Sequence, residues 1–305
     1  MKSALITGGS GFLGSFLTEE LLLNGYKVAV LDHNAPARDN VTFIKGNIED
    51  KTTVLQAVSP ADIVFHLAGM LGTSYLSDKA RRSVDVNIIG ALNVYDAVMG
   101  TDKRVVNIGL IPDWDNAYMI TKKAAMKFGR MYADIFDASI TTLELSHVYG
   151  PGQRVAPYYK AVPTFITQAL ANQPLTVFGE GGKWMDLLHV RDAARAIRIA
   201  AEQPDLKGHV ITVSSGSRIR VADLARKIID MTGSSAMLEF APMRPGEPAH
   251  DAAYEAPDTG AATGADAATD TAAGAGVIAM LPGWAPLIDT DAGLTETIDW
   301  YRSNS

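Results

Sequence analysis

"SALITGGSGFLGSFLTEELLLNGYKVAVLD", residues 3–32, reads as a short apolar run, a glycine-rich turn, a helical pattern and a second apolar run. Gly8, Gly11 and Gly14 form G-x-x-G-x-x-G where the first run meets the helix. Glycine is needed there if backbone must lie against a pyrophosphate. A side chain would hold it off, and free N–H groups at the helix start meet the charge. The helical pattern closes at Asn24-Gly25, a good C-terminal signal. A glycine triplet alone is weak evidence. Its strand-to-helix context, and Asp32 placed 18 residues after Gly14 at the end of "KVAVLD", sharpen it into a dinucleotide site. An acid there accepts hydrogen bonds from ribose hydroxyls and repels a 2'-phosphate, which favours NAD over NADP. The bland alternative is a turn residue. Arg38 is the nearby base that would argue the other way, and its surroundings predict a solvated loop.

The alternation continues through "VTFIKGN", "DIVFHLAG", "RVVNIGL" and "SITTLELSHVYG", with helical patterns around 79–99 and 117–136. Strands separated by helices imply an α/β fold, a Rossmann-type doubly wound parallel sheet covered on both faces. Beyond Gly150 the pattern shifts to Pro/Gly-rich loops and isolated strands such as "PLTVF" and "HVITVS". This predicts a dinucleotide-binding domain over 1–165, with returns to its sheet around 187–215, and a smaller, interleaved substrate domain over 166–305. Residues 252–276, nearly all Ala, Thr, Gly and Asp, have the apolar period of neither helix nor strand. They read as a surface segment or a weakly encoded helix–loop connection.

With 305 residues, 47% hydrophobic and 20% charged, the chain is long enough for one such domain with an appendage. No cysteine is present, which excludes disulfides, thiolate metal sites and cysteine nucleophiles and makes a cytoplasmic location the default. No apolar run approaches the roughly 18 residues of a membrane span. Ten acids and no Lys or Arg lie between Glu247 and Asp299, leaving 24 acids against 27 bases elsewhere. That balance argues against nucleic acid as a partner, yet leaves room for a local anion pocket. No metal site is expected.

Tyr118 and Lys122 stand four apart in a helical stretch and so share one face. A free tyrosine is a poor base, but a lysine and the positive nicotinamide ring can stabilise its phenolate, so that Tyr118 takes a hydroxyl proton as hydride moves to NAD. On its own, Y-x-x-x-K is common and usually structural.

Together with the glycine turn, the pair resembles the extended short-chain dehydrogenase/reductases, specifically the NAD-dependent epimerase/dehydratase family. The resemblance is carried by "TGGSGFLG" (7–14), "HLAG" (66–69), "VNIIGALNV" (86–94), Tyr118 with Lys122, "HVYGPGQ" (147–153), "FGEGGKWMDLLHVRDAARAI" (178–197), "RPGE" (244–247), "GWAP" and "LTETIDWYR". It implies a nucleotide-diphosphate sugar as substrate and a homodimer formed through the helices near 79–99 and 117–136. Val84, Ile88, Met126 and Met131 on those helices read equally well as core. The resemblance also implies that Gly8, Gly11, Phe12, Leu13, Gly14 and Asp32 hold the cofactor, that Asn47 and Ile48 bracket the adenine, and that Leu67, Ala68 and Gly69 line the cofactor. Asn87 supports the active site. His66 and His147 match motif positions and read as structural.

The departures are as informative. Relatives end strand five with hydroxyl residues, one of which bonds the reacting oxygen; here Gly109, Leu110 and Ile111 stand there, and nine residues lead from Gly109 to Tyr118. Thr73, Ser74 and Asn116 are the replacement donors within reach, and no replacement is the other possibility. Pro112 and Asp113 occupy the place of the dehydratase Asp-Glu pair, which disfavours that branch. Met185 replaces an arginine that clamps the diphosphate in relatives, and Glu144 replaces another. Arg244 is retained at a diphosphate-binding position, with Arg154, Lys183 and Arg218 as helpers or plain surface bases. The leading expectation is an NAD-dependent epimerase-type enzyme working through a transient keto sugar. A net oxidoreductase of a smaller alcohol and a non-catalytic NAD-binding scaffold are the alternatives.

Overall fold

The computed structural model describes residues 1–111, 115–247 and 280–304, and the backbone of 277–278. Pro112, Asp113 and the 252–276 segment lie outside the described residues.

The quoted stretch folds as β1 (Ser3–Thr7), α1 (Phe12–Leu23) and β2 (Lys27–Asp32). There follow β3 (Thr42–Lys45), α2 (Lys51–Val58), β4 (Ile63–His66), α3 (Ala80–Val84), a π-helical turn at Asp85–Ile89, α4 (Gly90–Val98), β5 (Arg104–Leu110), α5 (Ala117–Phe136) and β6 (Ser139–Leu145). The second half supplies β7 (His147–Tyr149), α6 (Ala161–Leu170), β8 (Leu175–Phe178), β9 (Trp184–His189), α7 (Val190–Glu202), β10 (Val210–Val213), β11 (Arg218–Arg220), α8 (Val221–Thr232), β12 (Leu238–Ala241), β13 (Val277–Ile278) and α9 (Thr290–Asn304).

The main sheet is parallel throughout, in the order β3-β2-β1-β4-β5-β6-β10, with the two-residue β13 at its edge. The order reverses at β1/β4, the switch point where such sheets open a crevice at their carboxyl ends. Helices cover both faces, as the apolar runs require. Leu17 and Leu21 of α1 and Ile197 of α7 pack with Ile6, Val30 and Val106 on one side; Val54, Val94, Tyr95 and Ala125 pack with Leu5, Val64 and Val105 on the other.

A second core, around Phe165, Ile166, Leu187, Leu224 and Ile298, belongs to the C-terminal half. Of the stretch around 187–215, β10 lies in the main sheet and α7 packs beneath it, whereas β9 joins a small sheet with β11 and β7. Asp186, 1% exposed, ties these parts together. Its carboxylate accepts from the Ser146 and Ser214 hydroxyls at 2.9 and 2.6 Å, and from the Ser215 and Gly216 amides at 2.9 and 3.0 Å.

Candidate active site

The glycine turn has the shape expected of a phosphate cradle. Gly8 lies at φ +75°, and a Cβ there would stand 2.8 Å from Ala68 N; at Gly14 it would stand 2.4 Å from Gly8 O and 2.6 Å from Gly9 Cα. Gly11 is the N-cap of α1, and no side chain caps the amides of the first turn, which begins at Phe12 and Leu13. Asp32 closes β2 across from the turn, accepting from Ser10 N and Asn34 N at 3.1 Å each, one on each carboxylate oxygen. Arg38 pairs with Glu19 at 2.9 Å, with both side chains largely in solvent. These features fit a dinucleotide's pyrophosphate and ribose. At the adenine end, Asn47 Oδ1 accepts from Glu49 N at 3.2 Å. Ile48 is 5% exposed; its side chain packs beneath Gly90 and its carbonyl accepts from Asn93 Nδ2 at 3.0 Å.

From the glycine turn a chain of contacts leads to α5. Thr7 bonds His66 Nδ1 at 2.9 Å, and Ala68 N donates to Thr7 Oγ1 at 3.3 Å. Met70, just past Gly69, is pinned by Asn87, whose Oδ1 accepts from Met70 N at 2.7 Å and whose Nδ2 donates to Met70 O at 3.1 Å. Asn87 Nδ2 also donates to Thr121 Oγ1 at 3.0 Å. Asn87 thus braces the loop after β4 against α5 from a π-helical turn. Thr121, which the sequence reading missed, is its anchor between Tyr118 and Lys122.

Tyr118 and Lys122 are each 7% exposed, and neither polar head has a hydrogen-bond partner among the described residues. Burial lowers the Lys122 ammonium to about 8. Burial, then the neighbouring Tyr158, raises the Tyr118 phenol. In the chain by itself, then, Tyr118 is raised rather than lowered as expected from Lys122. His66 is held neutral, at about 3, by burial and then by the charge of Lys122.

Lys122 also carries a stability signature. Between pH 8 and 10.5 the unfolded chain keeps a proton the folded site has released, so stability rises with pH in that window; below about 8 the cost of burying the charge is felt in full. Lys122→Met is therefore expected to stabilise the cofactor-free protein at pH 7 by on the order of 2 kcal/mol. In thermal melts the gain fades towards pH 10.5; a variant no more stable at pH 7 would contradict the burial.

The end of β5 explains its missing hydroxyl. A Cβ at Gly109 would meet Met126 Sδ at 2.7 Å and Thr142 Cγ2 at 3.0 Å, so the thioether fills the place of a side chain. Met126 is thus core, while Val84 is 39% exposed. Leu110 joins an apolar cluster made by Tyr118, Met119 and Leu76 with Met70, Leu71 and Tyr75. Asn116 caps α5, its Oδ1 accepting from Met119 N and its Nδ2 donating to Gly246 O, both at 3.0 Å. Its polar atoms are engaged, which argues against the donor role considered for it. Gly246 also lies against Thr73, 3.3 Å from Thr73 Cγ2 to the position of an added Cβ.

Among the expected substrate contacts, Arg244 is well placed. It stacks on Phe178 at 4.9 Å, donates to Tyr159 O at 3.2 Å and pairs with Glu247, leaving Nε buried without a partner among the described residues. Met185, expected among the substrate contacts, is 9% exposed and packs in the C-terminal core, because β9 is buried along nearly its whole length. Arg154 and Arg218 are exposed; the Tyr158 phenol is raised by burial and then by Tyr75, a rise that Arg154 partly offsets. His147 is lowered to about 4 by burial, then by Lys183 and Lys160, and is neutral; its Nδ1 is buried without a partner among the described residues. Lys160, unsuspected from the sequence, holds its ammonium 5.8 Å from the Tyr118 ring centre. No spacing in "PYYKAV" links it to a tyrosine so far back in the chain.

A parallel sheet reversing at β1/β4, a glycine turn at that point and an acid closing β2 define a dinucleotide-binding α/β protein. The chain belongs to the NAD dependent epimerase/dehydratase family, whose model matches residues 4–109 and 112–214. NAD is that family's cofactor. A UDP-N-acetyl-alpha-D-glucosaminuronate decarboxylase of Bacillus cytotoxicus is 27% identical over 330 residues, covering 99% of this chain and 98% of that protein. A UDP-glucose 4-epimerase of Mycolicibacterium smegmatis is 24% identical, covering 99% of each. The solved UDP-glucose 4-epimerase of Thermus thermophilus, in complex with NAD, shares the fold with a TM-score of 0.81 at 22% identity, covering 99% of this chain and all of that one. Among the described residues no helix is long and apolar enough to cross a membrane, and no metal-binding cluster is formed.

Proposed function

We propose that this chain is an NAD-dependent, epimerase-type enzyme of a nucleotide-diphosphate sugar, with Tyr118 and Lys122 as its proton-transfer pair. The carrying observation is the pair itself: two buried polar heads on one face of α5, without partners among the described residues, joined through Thr121 and Asn87 to the loop against the glycine turn. The decarboxylase and 4-epimerase named above support a UDP-sugar as substrate. Gly8, Gly11, Gly14 and Asp32 hold NAD, with Leu67, Ala68 and Gly69 alongside. Held there, NAD would supply a hydride acceptor and donor for a carbinol carbon. Tyr118 Oη takes the hydroxyl proton from the same carbinol and later returns it. The Lys122 ammonium stabilises the phenolate and holds the nicotinamide ribose. Arg244, fixed by Phe178, Tyr159 and Glu247, binds the diphosphate. The apolar shell of Leu76, Leu110 and Met119 excludes water around the phenol. A homodimer through α3, α4 and α5 belongs to the same proposal, since Val84, Ile89 and Ile120 are exposed.

A net oxidoreductase of a smaller alcohol is the second reading, favoured by Met185, which turns into the core where relatives of the resemblance carry a phosphate-clamping arginine. Mass spectrometry of the denatured protein, followed by incubation with UDP-glucose, UDP-glucuronic acid, UDP-N-acetylglucosaminuronic acid and dTDP-glucose, separates the readings. Retained NAD and an altered sugar without net NADH is the expected result. Net NADH supports the second reading, and the absence of both results rules out both readings.

A further inference from the structure

We infer that Ser74 Oγ donates a hydrogen bond to the sugar oxygen on which Tyr118 acts, taking the place of the hydroxyl that β5 lacks. The inference rests on the reading of Tyr118 as the proton-transfer residue.

The end of β5 has no means of supplying that bond. Met126 fills the space over Gly109, Leu110 sits in the apolar cluster around Tyr118, and the Ile111 carbonyl accepts from Lys123 Nζ at 3.4 Å. The loop after β4 wraps the same tyrosine instead. Met70, Leu71, Tyr75 and Leu76 all pack in the Tyr118 cluster. Gly72 lies under Tyr158, 3.0 Å from its Cδ1 to an added Cβ, and Thr73 turns its methyl to Gly246.

From 70 to 76, then, four residues pack around Tyr118, Gly72 lies against Tyr158 and Thr73 against Gly246. Ser74 is fixed through its backbone, its carbonyl accepting from the Ser77 hydroxyl at 2.8 Å, while its own Oγ is buried with no hydrogen-bond partner among the described residues. A hydroxyl cut off from water and left unpaired is unfavourable unless a group from outside the chain completes it. Because the loop that carries Ser74 packs on Tyr118, the group assigned to it is the sugar on which Tyr118 acts. Of the three donors open from the sequence, Asn116 is engaged at both ends of its amide and Thr73 has its methyl against Gly246, so the orphaned hydroxyl is that of Ser74.

The test uses full-length, NAD-loaded protein and whichever of UDP-glucose, UDP-glucuronic acid, UDP-N-acetylglucosaminuronic acid or dTDP-glucose the wild type turns over. Ser74→Ala is expected to lower kcat about 10²-fold, the scale of a lost transition-state donor, with KM within about threefold. NAD retention stays at the wild-type level and Tm is unchanged or higher, because an unpaired buried hydroxyl is removed. Ser74→Thr restores kcat to within about tenfold of wild type. Wild-type kcat in Ser74→Ala beside an inactive Tyr118→Phe overturns this inference and leaves the proposed function standing. A loss larger in Thr73→Val than in Ser74→Ala moves the role to Thr73 and also overturns it. If Ser74→Ala loses kcat only together with Tm or NAD, and Ser74→Thr restores nothing, the hydroxyl is structural. A wild type that turns over none of the four sugars overturns inference and function together.

Discussion

Tyr118→Phe is expected to lower kcat/KM about 10³-fold, within the range typical of a lost general acid–base group and equivalent to about 4 kcal/mol of barrier. The substitution is clean. The ring stays packed against Leu76 and Met119, and the hydroxyl it removes has no partner among the described residues to leave unpaired. Stability and NAD retention should therefore match wild type, and both are measured beside the rate. A general folding effect would lower all three, whereas a proton-transfer role lowers the rate alone. The pH profile adds a second readout. Burial and Tyr158 push the Tyr118 phenol up, so its deprotonated form is favoured by rising pH, and wild-type kcat/KM for the oxidative direction should climb on the alkaline side. Tyr118→Phe loses that limb. Unchanged turnover in Tyr118→Phe would remove the tyrosine from the mechanism whatever the family does elsewhere.

What could be read from the sequence was local. The glycine spacing, the Asn24-Gly25 stop and the position of Asp32 are set within one strand–helix–strand unit, where every contact lies a few residues away. Tyr118 and Lys122 were legible for the same reason, because one helical turn brings them together. What β5 lacks was legible too, since Gly109, Leu110 and Ile111 need only be counted. Beyond the reach of the sequence were the answers that depend on distant chain. Whether Asn116 is free turns on Gly246, and whether Met185 faces a phosphate or a core turns on how β9 is covered. Asn87 showed its role as a brace only once Met70 and Thr121 had converged on it. The Ser74 hydroxyl became conspicuous only when its neighbours on both sides were seen packed around Tyr118.

The two ends of the glycine turn should fail in different ways, and the contrast tests whether the turn serves the fold or the cofactor. Gly14→Ala places a methyl 2.4 Å from Gly8 O and 2.6 Å from Gly9 Cα, backbone atoms that cannot swing aside, so the turn itself must open. Overpacking of that kind costs about 1–3 kcal/mol, and the displaced amides should weaken NAD binding at least tenfold with it. Gly11 is different. Its φ of −77° suits any residue, and the nearest atom to an added Cβ is Gly8 O at 3.2 Å, so the chain alone has little need of glycine there. Gly11→Ala should hold stability within about 1 kcal/mol of wild type. Yet its methyl would stand on the exposed side of the helix start, where the pyrophosphate must come close to the backbone, and NAD affinity should fall by about 10- to 100-fold. Thermal melts with and without NAD separate the two effects, because a ligand that binds only the folded state raises Tm in proportion to the affinity retained. If Gly11→Ala binds NAD as tightly as wild type, the pyrophosphate does not approach this backbone, and the cofactor must be placed elsewhere along the turn.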